Sequence, residues 1–176
     1  GMPTIAMATY LFFYVPDIES VLSGTGSNFA TSGGFGPNQV ATVLGVGMFV
    51  FTTRFFLSSP TLKYKLVNAG LIAFISYRAI VTFSRGGVLA ALIMILLFLW
   101  LAYKDSAVQQ KRQISLSVIF LVLIGLSTWI YSSTQTMGLI DKRYSNQDAA
   151  GRSKEDVTTG RVDIFMSEIE GFTSNP

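Results

Sequence analysis

The stretch VNAGLIAFISYRAIVTFSRGGVLAALIMILLFLWLAY, residues 67–103, holds two long apolar runs separated by a serine, an arginine and two glycines. Each run approaches the ~20 apolar residues that a helix needs to cross a bilayer. The 17 residues 87–103 would span about 26 Å at about 1.5 Å per residue, so flanking residues must extend that helix. Similar runs occupy 38–57, 66–83 and 114–131, and together the four predict an all-α, multi-pass transmembrane helix bundle.

The composition supports a membrane protein and excludes several kinds of chemistry. Hydrophobic residues make up 50% of the 176 residues and charged residues 13%, against about 25% charged in ordinary soluble domains. Mean hydropathy is +0.49. A net charge of +3 is too small and scattered to indicate nucleic acid, and the absence of Cys and His removes thiolates and imidazole ligands. We therefore expect membrane lipids around the chain and no metal or cofactor.

The distribution of lysine and arginine predicts the orientation of the bundle. The links 58–65 and 104–113 carry an excess of basic residues, which favours the cytoplasmic side, whereas 16–37 carries only acidic charges. The tail 132–176 has five basic and seven acidic residues and is expected on the opposite side. Residues 1–131 then contain about four or five spans, since the apolar piece 4–15 is too short to cross alone.

One segment of the polar tail shows a helical pattern. In RVDIFMSEIEGF, residues 161–172, apolar side chains recur at 162, 165, 166, 169 and 172, which places them on one face of a helix. Thr159 is a suitable N-cap and Gly171 a suitable end. The pattern predicts a short amphipathic helix that lies on the outer surface, since it is too polar to span.

Two arginines stand out in the apolar region. Arg78 and Arg85 are seven residues apart, so they share a face if helix 66–83 continues through residue 85, with Gly86 and Gly87 reversing the chain. An arginine below the membrane interface, such as Arg78, usually faces a cavity or a partner. An anion is the natural partner because the neighbouring spans contain no carboxylate; the alternative for both is snorkelling to lipid headgroups. Arg54, at an inner helix end, fits snorkelling well.

Small residues and glycines mark further structural features. Pairs four residues apart predict close helix packing; they are Ala41 with Gly45, Ala69 with Ala73, and Gly87 with Ala91. The glycine-rich loop 23–39 leads into a helix with Pro37 in its first turn. Such a loop either cradles phosphate or simply begins the helix.

Three motifs occur in a fixed order on this topology. They are GGFGPNQ (33–39), TFSRGG (82–87) and TTGRVDIF (158–165). Together they resemble the O-antigen ligase/polymerase family of bacterial envelope glycosyltransferases, over roughly residues 30–172. The resemblance implies a bacterial inner-membrane protein whose site and tail, including 132–176, lie on the periplasmic face.

The resemblance also implies a reaction and a set of binding residues. Members of the family move a glycan from undecaprenyl diphosphate to lipid A core, to another glycan or to a protein, without a metal. Their arginines near the outer face bind the diphosphate, and the motifs transfer that role to Arg85 and Arg161. Arg78 lies near the same place and is added as a third candidate.

The chain departs from the family at one point, because the family's outer loop carries a histidine base and these residues contain none. No catalytic residue is therefore predicted here. We expect a piece of one larger membrane domain, or otherwise a short inactive relative. Two other functions stay open: a transporter or flippase segment that binds an anionic substrate, and a non-catalytic membrane scaffold.

Overall fold

The computed structural model describes residues 2–14, 24–27, 29–153 and 161–174, and at Met2 and Arg161 it describes the backbone alone. Throughout this described part the regular elements are helices, with one isolated antiparallel bridge between Gln147 and Ser153. The elements are α1 (Met2–Phe13), a 3-10 turn (Ala30–Ser32), α2 (Pro37–Leu57), α3 (Leu62–Val81), α4 (Arg85–Lys104), α5 (Val108–Gln135), α6 (Leu139–Tyr144) and α7 (Arg161–Ser174). The all-α prediction is confirmed.

Four of these helices, α2 to α5, are long and apolar enough to cross a membrane, as predicted. α4 contains 20 residues because Arg85 and Gly86 at one end and Lys104 at the other extend the predicted 87–103. At about 1.5 Å per residue it reaches about 30 Å, the thickness of a hydrocarbon core. The flanking residues thus supply the missing length.

The connections between spans are shorter than the sequence predicted. α3 begins at Leu62 rather than at 66, and α5 extends from Val108 to Gln135 rather than over 114–131. Lysine and arginine residues of both predicted links therefore lie near the beginnings of α3 and α5, while Lys104 is the last residue of α4. Lysine and arginine are good helix formers, so a charged sequence at a membrane surface continues the helix instead of ending it.

α2 and α3 form the centre of the bundle. The largest packing surfaces join α2 to α3 and to α4, and α3 to α5. The short helix α1 packs against α2 and α3, where Leu11 is fully buried. α4 and α5 leave most of their apolar surface exposed.

The predicted close packing of small residues is confirmed where α2 crosses α4. A Cβ on Gly87 would lie 2.5 Å from the Ala41 carbonyl oxygen, and a Cβ on Gly45 would lie 2.6 Å from the Gly87 carbonyl oxygen. Ala91 is fully buried at the same crossing. Glycine is required at this crossing because the two backbones touch. The contact brings the beginning of α2 next to the beginning of α4.

The reversal between α3 and α4 differs from the prediction. α3 ends at Val81, residues 82–84 form the turn, and α4 begins at Arg85, so Gly86 and Gly87 do not reverse the chain. Phe83 adopts the left-handed conformation with φ 57°. Its fully buried ring packs with Ile80, and this burial holds a conformation that a bulky residue rarely adopts.

The tail contains one helix that was predicted and one that was not. α7 was predicted, but it continues past the expected end at Gly171 to Ser174, and its apolar side chains are exposed. The proposed N-cap Thr159 lies outside the described residues. α6 was not predicted; it packs its buried residues Leu139 and Ile140 against the end of α3.

Candidate anion-binding site

The beginnings of α2 and α4 meet at one end of the bundle, called here the Arg85 end, which also includes the ends of α3 and α5 and helix α6. The Ser84 hydroxyl donates a hydrogen bond to the Asn38 side-chain oxygen, at 2.7 Å. Asn38 belongs to the motif GGFGPNQ and Ser84 to TFSRGG. Two of the three sequence motifs are therefore adjacent in space.

Ser84 precedes α4 as its N-cap but makes no side-chain capping bond, because its hydroxyl is used by Asn38. Ser84 therefore provides no side-chain cap to the first-turn N–H groups of this 20-residue helix. These N–H groups carry the positive end of the helix dipole, which favours a nearby anion. Arg85 is the first residue of this helix and is half-buried.

α6 is fixed across the Arg85 end by a carboxylate. The indole N–H of Trp129 donates to Asp141 Oδ1 at 2.9 Å, and the Ser133 hydroxyl donates to Asp141 Oδ2. Both donors belong to α5, so α6 is attached to the end of that span. Tyr144 then packs edge-on against Trp129, with ring centroids 4.8 Å apart.

Arg143 is a residue of this end that was not predicted from the sequence. Its Nε–H donates to the Phe83 carbonyl oxygen at 3.0 Å, a contact between residues 60 positions apart. No motif marks Arg143; the only hint in the sequence is an apolar pair, Leu139 and Ile140, one helical turn before it. The contact attaches α6 to the turn that precedes Arg85.

Tyr144 lies within the electrostatic influence of two arginines. Burial raises the pKa of its hydroxyl to about 12, and the positive charges of Arg143 and Arg85 partly oppose that rise. Among the described residues this buried hydroxyl has no hydrogen-bond partner. At neutral pH Tyr144 is therefore a neutral donor close to two guanidinium groups.

Arg78 lies inside the bundle, as expected for an arginine that faces protein. It is 8% exposed, and in the described part of the chain its Nε and Nη2 atoms have no hydrogen-bond partner. A buried guanidinium without acceptors is costly, so this arrangement favours a bound anion. Arg54, by contrast, is exposed, as expected for a residue that reaches lipid headgroups.

Arg161 is the first residue of α7, but its side chain lies outside the described residues. Of the three predicted binding residues, the structure thus describes the side chains of two, a buried Arg78 in the last turn of α3 and a half-buried Arg85 beyond it.

A family model described as O-antigen ligase matches residues 69–176, which is more than half of the chain. The matched part includes Arg78, the turn 82–84, Arg85, Arg143 and α7. No curated protein and no solved structure matches the chain.

Proposed function

Because this chain belongs to the O-antigen ligase family, we propose that it is part of a membrane glycosyltransferase that moves a glycan from undecaprenyl diphosphate to an acceptor. Family membership and four apolar helices establish a multi-pass membrane protein with ligase-like or polymerase-like glycosyltransferase activity. The lipid-linked donor, the acceptor and the periplasmic location are parts of the proposal. The acceptor is lipid A core, another glycan or a protein.

The buried guanidinium of Arg78 is the observation that carries this proposal. Two of its nitrogens have no acceptor in the described structure, although they lie among the packed helices of an apolar bundle. A diphosphate supplies several acceptor oxygens, and two of them can accept parallel hydrogen bonds from one planar guanidinium. Arginine also stays charged at every physiological pH, so the site would bind a diphosphate without titrating.

Arg85 and the beginning of α4 would bind the same diphosphate nearer the membrane surface. Arg85 contributes a charge, and the first-turn N–H groups of α4 contribute aligned donors. We assign Arg161 as a third cation, from α7. In the transfer step, negative charge grows on the leaving diphosphate, and fixed cations in a partly dehydrated site stabilise it.

In this proposal the arginines bind the donor and stabilise the departing diphosphate. None of them acts as the base that the reaction also needs. The acceptor hydroxyl must lose a proton, and residues 1–176 contain no histidine that could accept it. The proposal therefore gives this part of the protein the donor site and makes no assignment of the proton acceptor.

Glycan transfer by variants of the intact protein tests the proposal. Arg85→Ala and Arg161→Ala should each lower the rate on the order of a hundredfold, because each removes a contact that strengthens in the transition state. Arg85→Lys should recover part of the rate, since lysine keeps the charge but loses the bidentate geometry.

Arg54→Ala is the matched control, because Arg54 is an exposed arginine of the same bundle. Its transfer rate should equal that of the wild type. The rate is measured from the gel mobility of the acceptor at matched protein levels. Wild-type rates for both Arg85→Ala and Arg161→Ala would exclude diphosphate binding by these residues.

A further inference from the structure

We infer that Arg143 is a positioning residue of the donor site, which holds the turn 82–84 and so fixes Arg85. The inference rests on the proposed function, because it takes Arg85 as a donor-binding residue. It assigns to Arg143 a role through its contact with the backbone, and it does not require Arg143 to touch the donor.

The contact of Arg143 with the backbone lies close to Arg85 along the chain. Arg143 donates to the carbonyl oxygen of Phe83, and Ser84 alone separates Phe83 from Arg85. A carbonyl just beyond a helix end lacks the partner that it would have inside the helix, so a side-chain donor there fixes the peptide plane. Fixing this plane sets the direction in which the chain enters α4.

The turn 82–84 has an unusual backbone conformation. Phe83 has φ 57°, a strained conformation for a non-glycine residue, which persists only where its surroundings maintain it. Two local bonds assist: the Thr82 hydroxyl donates to the Ala79 carbonyl at 2.7 Å, and the Ser84 N–H donates to Thr82 Oγ1 at 3.2 Å. Arg143 supplies the long-range bond that complements them.

The helix that carries Arg143 is itself held in place by contacts with α5. This helix, α6, is attached to α5 through Asp141, which accepts from Trp129 and Ser133. Fully buried Ile140 and Phe83 belong to one apolar cluster beneath it. A continuous set of contacts therefore runs from α5 through α6 to the turn, and ends at Phe83, two residues before Arg85.

Arg143 and Arg85 both lie near the phenol of Tyr144. Both guanidinium charges act on the hydroxyl of Tyr144 and oppose the rise of its pKa. Arg143 thus stands beside the same phenol as Arg85 while its Nε is bonded to the backbone of the turn. This geometry suits a residue that sets the placement of its neighbour.

Steady-state transfer kinetics test the functional part of the inference. Arg143→Gln in the intact, membrane-reconstituted protein should lower kcat/KM for the lipid-linked donor by roughly tenfold to a hundredfold, the range expected for a misplaced binding group. KM for the acceptor should not change. Arg143→Lys should recover part of the loss, because an ammonium can still donate to the Phe83 carbonyl. Arg152→Gln is the control, since Arg152 is an exposed arginine of the same segment, paired with Asp148 at 2.8 Å.

A distance measurement tests the structural part independently of activity. Residues 1–176 contain no cysteine, so spin labels can be attached at Gly86→Cys and Ser145→Cys, two exposed positions on either side of the Arg143 contact. We expect a narrow distance distribution with Arg143 and with Arg152→Gln, a broad one with Arg143→Gln, and an intermediate one with Arg143→Lys.

The two readouts separate the possible failures. A narrow distribution and wild-type kinetics in Arg143→Gln, while Arg85→Ala loses transfer, would overturn the inference and leave the proposed function intact. Slower transfer with an unchanged distance would also overturn it, because Arg143 would then act without positioning the turn. A broadened distance with normal transfer in both Arg143→Gln and Arg85→Ala would support the positioning contact and reject the donor site.

Discussion

At the scale of single residues, Arg78 shows a conflict between stability and function. Its side chain is 8% exposed, and two of its nitrogens have no partner in the described residues. A buried unsatisfied polar group costs about 1–3 kcal/mol, and a charged one costs more. A fold selected for stability alone would have an apolar residue here. The unpartnered guanidinium is the reason why we propose a ligand at this position.

Arg78→Met should accordingly raise the unfolding temperature of the ligand-free protein while lowering glycan transfer by about a hundredfold. Methionine fills a similar volume and removes the buried charge. Thermal unfolding in detergent and the transfer assay measure the two effects. Arg54→Met, at an exposed position, should change neither quantity. A large loss of stability in Arg78→Met would show that Arg78 is satisfied within the fold, contrary to this account.

Tyr144 provides a pH-dependent prediction at the same scale. Its pKa in the folded protein is about 12, against 10.0 for an ordinary tyrosine. Below pH 10 the hydroxyl is protonated in both states, and stability is unaffected. As the pH rises from 10 to 12, the unfolded state ionises first, so stability falls by up to about 3 kcal/mol.

Tyr144→Phe should remove this part of the alkaline loss and leave stability at pH 8 unchanged or slightly higher, because the buried hydroxyl has no partner. The unfolding temperatures of the two proteins, compared from pH 8 to pH 12, measure the difference. Parallel curves across pH 10–12 would contradict the burial of this hydroxyl.

At the scale of helices, the crossing of α2 and α4 depends on one of two adjacent glycines. A Cβ on Gly87 would meet the backbone of Ala41, whereas a Cβ on Gly86 would meet nothing within 4 Å. Gly87→Ala should therefore destabilise the protein by about 1–3 kcal/mol, as overpacking does. Gly86→Ala should be neutral or slightly stabilising, because alanine favours a helix. Equal unfolding temperatures for the two variants would refute the close crossing.

The helices also show which features the sequence could predict. Four apolar runs of about 20 residues predicted the spans, because the hydrocarbon core sets their length. The small-residue pairs predicted close helix packing, because only small side chains permit such an approach, and the structure has it where α2 crosses α4. The helix α6 was missed, because it contains six residues and its formation depends on Trp129, Ser133 and the ends of other helices. No local pattern encodes such contacts.

The turn before Arg85 shows the same limit at the candidate site. Two glycines in SRGG favoured a reversal at Gly86 and Gly87, since glycine adopts positive φ without strain. The structure places positive φ at Phe83 and uses Gly87 for close packing. Burial of the Phe83 ring places the positive φ at Phe83, and this burial depends on residues that are distant in the sequence. Arg85 was identified by its motif, whereas Arg143 could be found only from its contact with the Phe83 carbonyl.

At the scale of the whole molecule, the two ends of the bundle differ in charge. Opposite the Arg85 end, Lys104 lies 5.6 Å from the ring centre of Trp100 and Lys111 lies 5.3 Å from that of Tyr103. Lysines with aromatic rings are typical of a membrane interface, and an excess of lysine favours the cytoplasmic side. We therefore expect the Arg85 end to face the periplasm.

Single cysteines introduced into this cysteine-free stretch can test that orientation. Ser27, Asp105 and Ser153 are exposed, so a cysteine at each can react with a label. In intact spheroplasts a membrane-impermeant maleimide should modify Ser27→Cys and Ser153→Cys, and should modify Asp105→Cys only after permeabilisation. If only Asp105→Cys were modified before permeabilisation, the predicted orientation would be wrong. The arginines would then face the cytoplasm, where a periplasmic donor could not reach them.

In the proposed function, the arginines of the Arg85 end bind the diphosphate of the donor, and direct binding of undecaprenyl diphosphate to the intact protein in nanodiscs tests this. A hydrogen bond to a charged group contributes about 1.5–3 kcal/mol, so Arg78→Met and Arg85→Ala should each raise Kd by roughly tenfold to a hundredfold. Arg54→Ala should bind like the wild type. Undecaprenol, which lacks the diphosphate, should bind the wild type and both site variants equally. Unchanged Kd for undecaprenyl diphosphate in both Arg78→Met and Arg85→Ala would contradict the account.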